Sequence, residues 1–371
     1  MPTNLIYIDY GSRGISGLLS RNFCDSLSSD CKLYAFLHMQ FKFSAKSYKI
    51  YRIFGMSDYL PLSKKWLRIL KLPELFFSFV IVYIFVLTKF VFSKNKPIVI
   101  INIYQSISLY GFLSIAINRF SKVFFVIHDA IPHKNSIPKF LTTTYTSLAS
   151  NSTGIICFGE ESKDILSDKI KNKPIYAFLF PPFFKNESRK SAGKKIGPVK
   201  EILFIGNVRE DKNLFKLLEV WRVFCEKNKT HNISLKIKGF MENDLIDKLP
   251  LLKSVHYTPR YLSDSEFEES IDSADFLILP YKGVTNSGIL HNAISVNKPC
   301  IVSSDPLFLD SVFNKGFLVF NCFEELEGLL WSVNKMNEKE YEALVGEIEN
   351  GKKNYFKLFE KSLDFFKERY Y

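Results

Sequence analysis

The sequence has few of the features that mark metal centres, disulfide frameworks and nucleic-acid-binding modules. Its six cysteines are scattered, and no two of them form a CxxC pair or lie at zinc-ligand spacing. It contains no RNP-like aromatic strand, zinc finger or KH-type loop, and no GxGxxG dinucleotide fingerprint. The first residues lack the basic-then-apolar order of a signal peptide and favour an opening strand. We therefore expect reduced cysteines in a cytoplasmic protein, and we disfavour a nicotinamide-dependent oxidoreductase.

The basic residues are distributed unevenly along the 371-residue chain, which has a formal net charge of +12. Residues 1–190 contain 25 Lys and Arg against 11 Asp and Glu, whereas the remainder contains 25 against 27. The basic excess therefore lies in the first half, where it would attract phosphates, nucleic acid or anionic lipid headgroups. A generally basic surface without a partner is the alternative.

Short apolar runs alternate with longer helical stretches, which is the pattern of parallel α/β domains. A polar segment rich in Gly and Ser begins at Lys185 and reads as a linker. We predict two Rossmann-like domains, residues 1–190 and 191–354, that face each other across a donor cleft. Residues 355–371 carry apolar side chains at helical spacing, which predicts a C-terminal amphipathic helix packing back on the first domain.

One uncharged run, residues 75–88, is almost long enough to span a bilayer. A crossing there would separate the strands predicted at 5–9 and 98–102, so a buried core helix or an insertion into one leaflet is favoured instead. The preceding residues 38–71 hold eight basic residues against one acidic residue, Asp58. Within them, an interfacial helix is predicted to place Lys64, Lys65, Trp66 and Arg68 at a membrane surface. A solvated charged helix is the alternative.

Two motifs in the first half lie where predicted strands end. Gly11, Arg13 and Gly14 follow the first strand, and glycines let backbone amides approach a phosphate or sugar at a helix start. A plain tight turn explains that spacing equally well. His128 and Asp129 end a later strand, at the edge where open α/β sheets bind ligands. We favour a functional role for this pair over a structural histidine.

Two motifs in the second half suit an anion. Arg209 and Lys212 follow a strand and begin a helix, where positive charge would stabilise a departing diphosphate. A capping segment with two solvated charges is the alternative. Between a buried strand and the next helix stands a cluster whose backbone amides suit the same phosphates: Thr285, Asn286, Ser287 and Gly288. An ordinary helix cap is the alternative there.

Four segments of the second half, FIGNVREDKN, SADFLILPY, TNSG and NKPCIVSS, stand in an order that resembles the GT-B glycosyltransferases. The resemblance is closest to the family-four-like group that builds bacterial surface polysaccharides. It implies that Arg209 and Lys212 hold the donor diphosphate, that the TNSG amides cradle it, and that His128 lies beside the transferred sugar. The common Glu-x7-Glu pair is missing, because Val284 and Asn292 occupy its positions; Asn292 then stands where the family's ribose-binding Glu would be.

The expected function follows from this resemblance and from the charge distribution. We expect an enzyme that moves a sugar from a nucleotide-diphosphate sugar to a lipid-linked or polysaccharide acceptor at the cytoplasmic membrane face. Without an Asp-x-Asp motif it should be metal-independent and need no cofactor. Retention of anomeric configuration is expected, although the missing glutamates leave inversion open, with Asp129 as base. The alternatives are a nucleotide-sugar 2-epimerase of the same fold and a basic nucleic-acid-binding protein.

Overall fold

The computed structural model describes residues 3–11, 14–29, 31–55, 71–102, 114–128, 130, 151–182, 197–282, 287–304 and 315–371. The chain divides into two compact units, Met1–Pro181 with Leu358–Tyr371, and Pro182–Lys357. Each unit is built on one parallel sheet with helices between its strands. The predicted α/β class with two Rossmann-like domains is confirmed.

The first unit contains a seven-stranded sheet in the order β3-β2-β1-β4-β5-β6-β7. Its strands read as unbroken apolar runs because helices cover both faces of a parallel sheet. The strand order reverses between β1 and β4, the kind of position at which open α/β sheets bind ligands. The strands are β1 Asn4–Asp9, β2 Lys32–His38, β3 Lys49–Phe54, β4 Ile98–Asn102, β5 Lys122–Ile127, β6 Gly154–Phe158 and β7 Ile175–Phe178; the helices are α1 Gly14–Leu27, α2 Lys71–Val91 and α3 Glu160–Lys169.

The second unit contains a six-stranded sheet in the order β10-β9-β8-β11-β12-β13, with its reversal between β8 and β11. Its strands are β8 Lys200–Ile205, β9 Ile233–Lys238, β10 Val255–Thr258, β11 Phe276–Leu279, β12 Cys300–Ser303 and β13 Phe317–Phe320. Its helices are α4 Leu214–Lys227, α5 Asn243–Ile246, α6 Asp264–Ser273, α7 Gly288–Ser295 and α8 Phe323–Lys335. A final helix, α9 Glu338–Tyr370, continues into the first unit.

Helix α9 begins well before residue 355, where the apolar spacing first becomes dense enough to predict it. Its part in the first unit buries Phe359, Leu363 and Phe366, which repeat at helical spacing. The Tyr370 hydroxyl lies 2.6 Å from the Tyr176 hydroxyl of β7. These contacts attach the end of the chain to the first sheet.

Helix α2 is apolar all round, yet only one of its faces is buried. Val82 and Val86 pack in the core of the first unit, and the Ser78 hydroxyl donates to the Ile53 carbonyl of β3. The opposite face is exposed, so α2 is not the fully buried helix that its composition favours. Among the described residues, no helix combines the length and apolar character needed to cross a membrane.

Candidate functional site

Two glycines without room for a side chain shape the carboxyl edge of the second sheet. Gly206 follows β8 with φ of 106°, and a Cβ atom there would lie 2.7 Å from Ile289 Cδ1 and 3.0 Å from Lys212 Nζ. Gly239 follows β9 with φ of 134°, and its Cβ would collide with the Gly206 backbone. Both conformations favour glycine. Sequence reasoning missed Gly239, whose only signal is a glycine directly after a strand.

Lys212 lies at this edge almost entirely out of water. It ends a 3₁₀ turn, Glu210–Lys212, and its side chain is 7% exposed. The ammonium lies 5.1 Å from the centre of the Tyr281 ring. Burial, with a smaller contribution from the neighbouring Arg209, lowers the Lys212 pKa to about 8. Within the described part of the chain, no group accepts a hydrogen bond from Nζ, so an anion would relieve the cost of its desolvation.

Arg209 precedes the same turn and is held by a carboxylate of its own loop. Its Nε lies 3.1 Å from Asp211 Oδ1, and its Nη2 lies 3.0 Å from Asp211 Oδ2. This bidentate contact orients the guanidinium while leaving the Arg209 side chain 46% exposed. Arg209 and Lys212 therefore come together, as predicted, but in different environments.

Two hydrogen bonds join the loop after β8 to the loop after β11, the neighbouring strand. Asn213, in the left-handed conformation at φ 50°, donates from Nδ2 to the Pro280 carbonyl over 2.9 Å. The Lys282 amide donates to the Asp211 carbonyl over 2.8 Å. Residues 280–282 are therefore fixed beside the loop that carries Arg209 and Lys212. Sequence reasoning did not identify Asn213 or Tyr281 as parts of this edge.

The predicted phosphate cluster is described only in part. Thr285 and Asn286 lie outside the described residues, whereas Ser287 caps α7 by accepting from the Leu290 amide over 3.3 Å. Gly288 begins the helix, and its carbonyl accepts from Asn292 Nδ2 over 2.8 Å. Ser287 therefore serves as the ordinary cap that was the alternative, while the start of α7 remains at the same edge as Lys212.

His128 directly follows β5 in the first unit and is 8% exposed. Its Nε2 lies 2.6 Å from Asn102 Oδ1 at the end of β4, and its ring lies 5.1 Å from the Phe158 ring. Asp129 lies outside the described residues. His128 is therefore fixed by a polar contact at the strand edge where the sequence predicted a functional group.

Asp9 ends β1 and is fully buried beside this pair. It accepts from Asn102 Nδ2 over 3.0 Å, from the Ser20 hydroxyl, and from the Gly11 amide over 2.8 Å. Burial raises the Asp9 pKa to about 6 against the lowering effect of these hydrogen bonds. The Gly11 amide thus binds Asp9 rather than the phosphate or sugar that the glycine spacing suggested. Gly14 begins α1, and Arg13 lies outside the described residues.

The remaining predicted surface, Lys64, Lys65, Trp66 and Arg68, lies outside the described residues. In the described segments, no group of three or more His, Cys, Asp or Glu side chains could hold a metal ion.

Residues 185–354 match the family model described as glycosyl transferases group 1. The complete fold is similar to the E. coli trehalose-6-phosphate structure bound with UDP-2-fluoro glucose, with a TM-score of 0.64, 11% identity, and 99% of this chain and 98% of that chain covered. The chain therefore has the GT-B fold, and its residues 185–354 are similar to glycosyl transferases group 1.

Other solved structures agree on this fold. A UDP-forming trehalose-phosphate synthase from Burkholderia xenovorans in complex with glucose-6-phosphate has a TM-score of 0.64 at 11% identity and covers 99% of both chains. TarM has a TM-score of 0.57 at 15% identity and covers 78% of this chain and 58% of its own. Curated protein sequences yield no match.

Proposed function

We propose that this chain is a nucleotide-sugar glycosyltransferase. It binds the donor diphosphate with Arg209, Lys212 and the start of α7, and transfers the sugar to a lipid-linked or glycan acceptor at the cytoplasmic membrane face. The observation that carries the donor assignment is Lys212, a desolvated ammonium fixed over Tyr281. The bond from the anomeric carbon to the diphosphate breaks as the bond to the acceptor oxygen forms, and the proton of the acceptor hydroxyl passes to the departing phosphate oxygen. Negative charge then grows on the departing phosphate, where preorganised cations are most effective.

Three features support His128 as the group that contacts the transferred sugar. It lies at the carboxyl edge of the first sheet, it is held by Asn102, and it matches the histidine of the resemblance. No cofactor is proposed, and Arg209, Lys212 and the helix start take the place of a metal. The missing Glu-x7-Glu pair leaves stereochemistry to be measured on the product by NMR; retention is the proposed outcome.

The exposed face of α2 supports an acceptor at a membrane. Phe77, Ile81, Ile84 and Val91 lie on one side of the helix and are 65%, 49%, 56% and 64% exposed. A continuous apolar face of this kind is uncommon on a soluble monomer and is typical of a membrane or protein contact. The basic excess of residues 1–190 favours an anionic lipid surface over another protein.

A thermal-shift screen against UDP, GDP, TDP and their sugars tests the donor site. A ligand at 100 times its Kd should stabilise the protein by about 2.7 kcal/mol, and Lys212→Ala should abolish the shift. The absence of any shift would contradict a nucleotide-diphosphate site. Conversion of the donor sugar without an acceptor would instead favour the 2-epimerase, and a salt-dependent gel shift at low micromolar protein would favour nucleic-acid binding.

The acceptor is tested with lipid-linked sugar in vesicles and with glucose 6-phosphate as the soluble comparison, since one structural neighbour binds that sugar phosphate. We expect transfer to the vesicle-borne acceptor. Faster transfer to glucose 6-phosphate would contradict the membrane part of the proposal and leave the donor site intact.

A further inference from the structure

A buried polar network joins the carboxyl ends of β1, β4 and β5. Asn102 is at its centre: Nδ2 donates to Asp9 Oδ2 and to the Tyr7 hydroxyl, each over 3.0 Å, and Oδ1 lies 2.6 Å from His128 Nε2. The Tyr7 hydroxyl donates to Ser20 over 3.2 Å, and the Ser20 hydroxyl donates to Asp9. All five side chains are buried.

Asp9 fixes which groups donate and which groups accept hydrogen bonds in this network. Ionised Asp9 has no proton to give, so it accepts from the Gly11 amide, Ser20 and Asn102. The Asn102 amide nitrogen therefore faces Asp9, and its oxygen must face His128. An amide oxygen only accepts, so the hydrogen between Asn102 and His128 belongs to Nε2.

We propose that Asn102, oriented by Asp9, is a positioning residue that keeps a proton on Nε2 of His128, so that in the neutral ring Nδ1 is the acceptor nitrogen. Resting on the proposed function, in which His128 contacts the transferred sugar, this tautomer accepts a hydrogen bond from a sugar hydroxyl. The opposite tautomer would present an N–H in its place. A buried partner of this kind sets both ring orientation and tautomer for histidines that act on substrates.

The test reads the tautomer directly. In 15N spectra of labelled protein at pH 7.5, with the His128 signals assigned by their loss in His128→Gln, we expect Nε2–H in the unliganded wild type. Asn102→Leu removes the acceptor, so we expect a mixture of tautomers.

Turnover is measured with the nucleotide sugar that gives the largest thermal shift. Asn102→Leu should lower kcat on the order of tenfold, as loss of such a partner does elsewhere, while the Kd for UDP or GDP stays within twofold. The matched control is Ile101→Val, a buried change at the preceding residue of β4, which should leave both tautomer and kcat unchanged.

A wild-type ring protonated at Nδ1, or one whose tautomer survives Asn102→Leu, would overturn the proposal. An equal loss of kcat in Ile101→Val would overturn it as well, because the effect would then be general loss of packing. Normal turnover in His128→Gln would show that transfer does not need His128, so its positioning by Asn102 would have no catalytic role. Failure of the proposed function is separate: no nucleotide diphosphate would be released from any donor, while the tautomer could still be read.

Discussion

Lys212 is buried in the second unit. Its replacement tests whether the side chain binds the donor diphosphate or only packs. Lys212→Ala and Arg209→Ala should each raise the barrier to transfer by about 2–4 kcal/mol, because each removes a cation facing the departing phosphate. Nucleoside binding should change little. The measurement is kcat/KM together with the Kd for nucleoside and nucleoside diphosphate. Wild-type turnover in both variants would contradict the donor assignment.

The depressed pKa of Lys212 gives the same site a pH dependence. Since the pKa is about 8, the unliganded lysine loses its proton as the pH rises through 8, and diphosphate affinity should fall above that value by up to about tenfold per pH unit. The free energy of unfolding changes with pH in the opposite direction. The unfolded lysine binds a proton up to its ordinary pKa, so folding becomes more favourable as the pH rises above 8. The measurement is the Kd for UDP or GDP between pH 7 and 9.5.

Lys212→Arg is the control for that titration, since a guanidinium stays protonated over the whole range. Its affinity should be flat with pH, whatever its absolute value. A slope that persists in Lys212→Arg would assign the titration to another group.

The exposed apolar face of helix α2 is the part of the proposed membrane contact that substitutions can test. Ile81→Glu with Ile84→Glu places two charges on the exposed apolar face, so sedimentation with anionic vesicles at high salt should be lost. Melting temperature and nucleotide affinity should hold, because both side chains are half exposed and the donor site lies in the other unit. The matched control, Leu251→Glu with Trp331→Glu, changes two exposed apolar residues of the second unit and should bind vesicles normally.

Wild-type binding to neutral and anionic vesicles separates the two contributions to the membrane contact. Each basic residue near an anionic surface contributes about 1 kcal/mol, and salt screens that part. Equal binding to both vesicle types would contradict an electrostatic contribution. Unchanged binding by the α2 variant would show that this face of the helix does not contact the membrane.

At the scale of the whole molecule, the proposed transfer takes its positive charge from protein groups, and this leads to a prediction about metal. Activity should survive EDTA, because in the proposed site Arg209, Lys212 and the start of α7 would supply the positive charge that faces the leaving group. The measurement is nucleotide-diphosphate release before and after chelation. Complete loss with rescue by magnesium or manganese would contradict the assignment. The nucleotide affinity of the chelated protein is the control.

The fold could be predicted from the sequence, because the strands of a parallel sheet are continuous apolar runs and the helices between them have periodic apolar residues. The sheet edges could be predicted as well. His128 stands directly after β5, Arg209 and Lys212 stand in the loop after β8, and the carboxyl ends of parallel strands meet on one side of a sheet. The length of α9 did not follow, since its first part carries too few apolar residues to predict a helix.

By itself, then, the sequence determined the two sheets and which residues stand at their edges, because both depend on local periodicity and chain order. Only the tertiary structure decided what those residues touch. Asp9 and Asn102 are 93 positions apart, and Asn102 and His128 are 26 apart, yet they form one network. The desolvation of Lys212 over Tyr281 arises in the same way, because burial depends on packing between segments that no local pattern relates.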